Sequence, residues 1–417
     1  MQRSLVKTST TSATPLKKPS VKSAKSILVF ACGPLQRSII RRARMRGLFT
    51  VGIDPNPEAP ARDEVDAFEI VGGQDFEGTC TIVEKYGIDA IVTAAADKPL
   101  RMMAQIAEKY GFPFYSTDCA RWSTDKFLMK ERFELFGIGH ARGRLASNVT
   151  EASDLEFPLI VKPRDNSGSR GVVLCSNQDE LFAAISEALE YSRLDTVLVE
   201  EFIEGSEYSI EALHYGGKSE IIQFTEKKTT EFPYNVELGH KQPAPLSDGQ
   251  KDAIATVITK IAEALNFDNC PSHTELKINS RGIFVIETSP RLGGDYITSD
   301  LVPLSTGINI EDQLLHLALG EPVDTVTGRV EKASAVEYFH FPEGTVKSIT
   351  PAFHALSKAP GVTSFTPEFQ IGTRITPITS SLNRYGSYII SANNYPELVT
   401  LIDKYNSIID KSVKLIK

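Results

Sequence analysis

Two acids stand on neighbouring arms of what reads as a β-hairpin. His273-Thr274-Glu275-Leu276-Lys277-Ile278 alternates, Asn279-Ser280-Arg281-Gly282 reads as a turn, and Ile283-Phe284-Val285-Ile286-Glu287-Thr288 returns. With the turn centred near Ser280, Glu275 and Glu287 fall roughly opposite one another at the far end. Like charges across a ladder repel. A hard dication between them removes the repulsion, and oxygen ligands suit Mg²⁺. Two acids facing open solvent would repel little and need no metal. Ser289-Pro290-Arg291 follows, and the Arg291 fork suits a carboxylate or phosphate bound through two N–H groups.

A second constellation spans residues 157–175, FPLIVKPRDNSGSRGVVLC. An apolar run at 158–161 ends on Lys162, a Gly/Ser loop follows, and residues 172–175 form a second apolar strand. In such a loop, Ser167, Gly168, Ser169 and Gly171 present backbone N–H groups that can hold phosphate oxygens, and Lys162 and Arg170 add positive charge. An ordinary polar hairpin is the alternative. The loop is neither a Walker A motif nor a Rossmann fingerprint. Upstream, Ser123-Thr124-Asp125-Lys126 precedes a helical stretch at 127–136 that Thr124 or Asp125 would cap. Lys126 therefore sits near a helix start, where the macrodipole disfavours a cation. That misplacement points to a role; a merely solvated lysine is the alternative. Downstream, Val197-Leu198-Val199-Glu200-Glu201-Phe202-Ile203 is a strand meeting paired acids before a Glu204-Gly205 turn.

The surrounding elements fall into sections. Residues 27–117 alternate strands (27–30, 49–53, 68–71, 90–93) with helices (35–46, 76–86, 102–110), the pattern of a parallel sheet in an α/β domain. The first βα turn has one glycine where a dinucleotide fingerprint has three, which argues against NAD, so Asp54 reads as a turn cap. Residues 118–325 hold both constellations, strands at 208–213 and 221–225, and helices at 180–191 and 250–265. His273 reads as packing beside the metal site, and His240 as lying on a substrate loop. Residues 326–417 read as a small α+β unit, with strands at 333–339, near 371–375 and at 388–392, a closing helix at 396–409, and no chemical constellation. Residues 1–26 carry six Lys/Arg and no acid, as a disordered leader would. That composition also suits a transit peptide, but no secretory h-region is present.

Composition narrows the function classes. A net charge of −8 over 417 residues argues against a broad nucleic-acid surface. No apolar run approaches the ~20 residues of a membrane helix. Five scattered cysteines without a CxxC pair fit a reduced, cytoplasmic compartment and argue against zinc.

In this order, Lys126, Lys162 with its Gly/Ser loop, the acidic strand at Glu200, and Glu275 with Glu287 resemble the ATP-grasp superfamily over residues 27–417. The closest resemblance is to its carboxylate–amine ligases, the amino-acid ligase and carbamoyl-phosphate-synthase-like branch. The resemblance implies an ATP-grasp fold of mixed α/β and α+β class. It has an N-terminal parallel-sheet domain (27–117), a central nucleotide-binding domain (118–325) and a C-terminal α+β domain (326–417). It implies ATP with Mg²⁺, which Mn²⁺ can replace. Lys126 and Lys162 would contact the α- and β-phosphates, and residues 167–171 would close over the β- and γ-phosphates. Glu200 and the backbone of Phe202 and Ile203 would bond adenine, with Glu207 on the ribose. Glu275 and Glu287 would bind the metal. Arg170 would stabilise the γ-phosphoryl, and Arg291 would face the acyl phosphate or the substrate carboxylate. The family often reads Glu-x-Asn-Pro-Arg, and Ser289 replaces that asparagine here as a shorter, weaker ligand. The activity implied is ATP-dependent amide formation from small-molecule carboxylate and amine substrates, an amino acid being the default. A homodimer is an analogy of fold alone. The rival readings are a bicarbonate-using carboxylase component and a nucleotide-binding regulatory protein without ligase chemistry.

Overall fold

The computed structural model describes residues 25–165, 171–232 and 234–417. Most of the basic leader, and Ser167, Gly168, Ser169 and Arg170 of the Gly/Ser loop, fall outside these residues.

The amino-terminal sheet is parallel, as expected, in the spatial order Ala67–Ile70, Phe49–Asp54, Ser26–Phe30, Ala90–Val92. Its central strand is apolar and buried from Ile27 to Phe30 because it is covered on both faces. Ile27 and Val29 pack with Ile39 and Ile40 of the helix Arg37–Met45, whereas Leu28 and Phe30 pack with Leu100 and Met103 of the helix Leu100–Tyr110. Asp54 takes the expected turn role, accepting from the Cys32 and Asn56 amides at 2.9 and 2.8 Å.

Two further sheets form the walls of the site. The larger has eight strands, all paired antiparallel, in the order Gly282–Ser289, Cys270–Asn279, Ser206–Tyr215, Lys218–Thr229, Glu237–Gln242, Ala333–Tyr338, Gly386–Ala392, Val362–Pro367. Its last three strands come from beyond residue 326. The smaller has four, Gly143–Ala146, Val197–Glu201, Leu159–Pro163 and Val173–Cys175, backed by the helix Gln178–Tyr191 through Leu181, Ala184, Ile185 and Ala188. Behind the last strands of the large sheet, Phe339, Phe353, Phe365, Phe369 and Tyr388 form an aromatic core.

Two expectations are corrected. His240 is not on a loop: it lies in the strand Glu237–Gln242, opposite Lys227 and Val336, and is 2% exposed. The run ELGHKQ shows no apolar alternation, and flanking strands on both sides make it a strand. The strand expected near 371–375 shrinks to Arg374–Ile375.

Candidate active site

The Glu275–Glu287 hairpin carries the feature on which the site depends. Its register pairs Asn279 with Gly282 and Leu276 with Val285, then shifts, so that Glu275 faces Glu287 and His273 faces Ser289. Without the shift Glu275 would oppose Ile286, and Glu287 would point to the other face. The bulge inserts one residue and re-aims Glu287 onto the face Glu275 already occupies. Along the neighbouring strand, Glu207, Ser209 and Glu211 pair with Lys277, Glu275 and His273. Polar groups from three strands thus share one face. The opposite face carries Ile210, Leu276 and Val285, all fully buried.

Above this face, the small sheet contributes Lys162 and Glu200. Together the two sheets line a cavity of about 130 Å³ with Lys126, Lys162, Lys227 and Lys277 among its cations and Glu207, Glu237, Glu275 and Glu287 among its acids. One end is apolar, made by Ile160, Val172, Phe202, Ile203 and Ile286. A flat aromatic base suits that end, and a charged tail suits the other. A neighbouring cavity of about 360 Å³ extends past Lys126 to Asp97, His273, Ser289 and Arg291.

Each candidate charge described below has a partner among the described residues. Lys126 heads the helix Lys126–Leu135, whose cap Asp125 accepts from the Phe127 and Leu128 amides at 3.0 and 3.3 Å. Its ammonium lies 3.0 Å from Glu287. Burial opposes that charge, but Glu287 outweighs it and raises the pKa. Lys162 and Lys130 both contact the Glu200 carboxylate, Lys130 at 2.6 Å. Burial, with the charge of Lys126, lowers Lys162 to about 8, and burial with the charge of Lys162 holds Lys130 well below its ordinary value. Lys227 sits 2.6 Å from Glu207, 3.0 Å from Glu275 and 3.6 Å from Glu237. These acids overcome its burial and raise its pKa well above the ordinary value. Glu275 is held well below the carboxylate range, its burial outweighed by Lys227 and His273. His273 lies 2.6 Å from Glu211, which outweighs burial and raises the imidazole to about 9.

Arg291 does grip a carboxylate with its fork, but a protein one. Its Nε and Nη2 donate to Asp97 at 2.7 and 3.0 Å, and the Ser289 hydroxyl donates to the same carboxylate at 2.9 Å. Burial works to raise Asp97, and Arg291 outweighs it, leaving the group below its usual value. Just past the strand Val197–Glu201, the Phe202 amide donates to the Pro158 carbonyl at 2.9 Å. Gly171 ends the Gly/Ser loop at φ +71, a left-handed conformation that favours glycine. Lys130, Lys227, Glu211 and Asp97 were not picked out by sequence reasoning. Each contributes through a partner distant in the chain.

The donor set fits Mg²⁺. Among the described residues no group of three or more His, Cys, Asp or Glu could hold a metal alone. Two carboxylates opening on a cavity of phosphate-binding character are the usual protein share for this ion, which keeps water and substrate oxygens as further ligands.

The fold and the site define an ATP-grasp protein, and comparison with known proteins agrees. An ATP-grasp domain is matched over residues 155–300, and an L-amino acid ligase C-terminal domain 2 over residues 337–413. These matches give the chain an ATP-grasp domain and, beyond it, an L-amino acid ligase C-terminal domain. It is 24% identical over 371 residues to a carbamoyl phosphate synthase large chain of Rubrobacter xylanophilus, covering 82% of this chain and 34% of that one. It is 24% identical to an alanine–anticapsin ligase of Bacillus amyloliquefaciens, covering 60% and 58%. The chain thus spans only part of the curated relatives. In fold it resembles the L-amino acid ligase from Bacillus licheniformis, with TM-score 0.79, 20% identity, and 95% and 100% of the two chains covered. No helix among the described residues is long and apolar enough to cross a membrane.

Proposed function

We propose that this protein is an ATP-dependent ligase that joins the carboxylate of an amino acid to an amine through an acyl phosphate. The observation that carries the reading is the bulge-shifted register that sets Glu275 opposite Glu287, each beside a lysine. The L-amino acid ligase match over residues 337–413 favours this reading over a carboxylase with the same fold.

In this reading the adenine lies among Ile160, Val172, Phe202, Ile203 and Ile286, and the phosphates run toward Lys162 and Lys126. Glu275 and Glu287 would hold Mg²⁺, which supplies charge neutralisation at the transferring phosphoryl group. Ser289 is turned to Asp97, so the carboxylate pair supplies the protein ligands. A carboxylate oxygen of the donor attacks the γ-phosphorus and ADP leaves. The amine nitrogen then attacks the acyl carbon; the C–N bond forms, the C–O bond to phosphate breaks, and phosphate departs with the electron pair. Starting from the ammonium form, the nitrogen gives up two protons, one to the departing phosphate and one to solvent. Arg291 faces the acyl phosphate, held in orientation by Asp97. Lys126 and Lys162 stabilise phosphate charge by position and electrostatics.

The test is phosphate release from ATP and Mg²⁺ against single amino acids and pairs, with Glu287→Gln as control. The reading expects release that depends on a particular acid and amine and falls at least a hundredfold in the control. Tight ATP binding with no release for any pair would overturn it.

A further inference from the structure

A cleft of about 830 Å³ lies beside the nucleotide pocket, lined by the helices Thr117–Ser123 and Lys126–Leu135 and by the strand Gly143–Ala146. Its volume is that of a small-molecule site, and the ligase chemistry leaves it unused. Five of its lining side chains are Lys or Arg, against two acids, Glu131 and Glu134. In a chain of net charge −8 that is a local concentration of positive charge. Arg142 and Arg144 both reach Asp154, at 2.8 and 2.7 Å. The other three cations are less well matched. Arg121 comes no nearer than 4.0 Å to Asp118, and both side chains are more than half exposed. The Arg132 guanidinium lies against two rings, 4.3 Å from the centroid of Trp122 and 5.0 Å from that of Phe136, and its Nε donates to the Ala264 carbonyl at 2.7 Å. No carboxylate among the described residues neutralises it. A planar fork fixed in this way is set in place before any ligand arrives, and its geometry suits phosphate oxygens.

Lys130 joins the cleft to the nucleotide pocket. It lines the cleft, while its ammonium lies 2.6 Å from Glu200, which Lys162 also contacts. One carboxylate thus serves two buried lysines. Burial and the charge of Lys162 hold Lys130 well below its ordinary pKa, and an anion in the cleft would supply the compensation that Glu200 must otherwise divide. The wall between the two cavities is thin. Gly143 lines the cleft and pairs with Glu200, and a Cβ there would come within 3.0 Å of Glu200 Cγ. Trp122, Phe127, Leu128 and Leu135 give the cleft an apolar side, and Leu135 is 73% exposed.

We propose that this cleft is a second anion site, separate from the ATP pocket, that takes a nucleotide-sized phosphate ester with a planar or apolar body, and that Lys130 couples the two sites. The phosphate meets Arg132, Arg121 and Lys130, and the body lies on the apolar side. Each ligand brings negative charge to the same lysine pair, so each weakens the other, and by linkage the effect is equal in both directions. The coupling rests on the nucleotide pocket assigned above; the site itself does not.

Trp122 is the only tryptophan of the protein, so its fluorescence reports on the cleft. The experiment titrates the full chain with GDP and with pyrophosphate, by fluorescence and by calorimetry, in wild type, Arg121→Glu, Arg132→Met and Lys162→Met. The proposal expects a saturable change with GDP that survives in Lys162→Met and is weakened at least tenfold in both arginine variants. Arg121 is a surface side chain, so its variant keeps the fold even where Arg132→Met does not. Pyrophosphate should bind at least tenfold more weakly than GDP. ADP with Mg²⁺ should weaken GDP at least threefold in wild type and leave it unchanged in Lys130→Met. No saturable change with either probe, a change lost in Lys162→Met, or one that neither arginine variant moves would overturn the site. Pyrophosphate binding as tightly as GDP would overturn the planar or apolar body. An equal effect of ADP in Lys130→Met would overturn the coupling. None of these readouts needs turnover, so they stand or fall apart from the phosphate-release test of the ligase.

Discussion

Lys162 gives the site a pH dependence of opposite sign in its free and loaded states. Three lysines, Lys126, Lys130 and Lys162, crowd two acids, Glu200 and Glu287, and burial with this excess of positive charge brings Lys162 to about 8. In the unfolded chain the same lysine titrates near 10.4. Below pH 8 both states are charged, and the native state carries the full cost of the buried cation, roughly 3 kcal/mol at 1.36 kcal/mol per pH unit. Between about 8 and about 10.4 the native state releases its proton first, so stability rises with pH. A bound polyphosphate reverses the preference, because it favours the charged lysine. ADP affinity is then nearly flat below pH 8 and falls about tenfold by about pH 9, where roughly a tenth of Lys162 remains charged. Lys162→Met, which keeps the length of the stem, removes both dependences. Calorimetric ADP titrations and urea unfolding at pH 7, 8 and 9, read as wild type minus variant, isolate Lys162 from other titrating groups. An ADP affinity that does not change from pH 7 to 9, or the same slope in the variant, would refute the reasoning.

Other substitutions probe the supports around it. Lys130→Met removes one of the two amino groups that contact Glu200; loss of about 1.4 kcal/mol of support would raise the KM for ATP about tenfold, with Lys130→Arg retaining most of the wild-type value. Asp97→Asn leaves the Arg291 guanidinium, 12% exposed, without its counter-charge; urea unfolding should show a loss of about 3–5 kcal/mol, partly restored by sulfate. Phe353→Ala opens the aromatic core of the last strands and should cost about 3–5 kcal/mol, read from the same unfolding curves without a change in the m-value.

How far the site can be read from sequence depends on whether its partners are local. Asp125 is a cap because it precedes a helix, and the structure confirms it by two short-range hydrogen bonds. The parallel sheet follows from apolar strands alternating with helices, a pattern that needs no knowledge of register. Glu275 and Glu287 were legible because one tight turn joins their strands. Even so, simple counting from that turn gave only a rough opposition, and the bulge beside Glu275 decides that both acids share a face. Lys227 shows where such reading stops. It follows Glu226 and precedes Lys228 in a run of polar residues, yet Lys227 is 3% exposed and Lys228 is 54% exposed. Nothing local distinguishes the two. What separates them is the parity of the strand against Glu207 and Glu275, set by sheet registers spanning tens of residues. Asp97 is more remote still, 194 positions from Arg291, and its role exists only because the amino-terminal sheet packs against the large one. The same holds for Arg384, which makes the carboxy-terminal segment chemical through its contact with Asp295, 89 positions earlier. Residues proposed to touch the nucleotide announce themselves by type and neighbours. Residues that hold those in place belong to the fold, and their chemistry appears once the sheets are assembled.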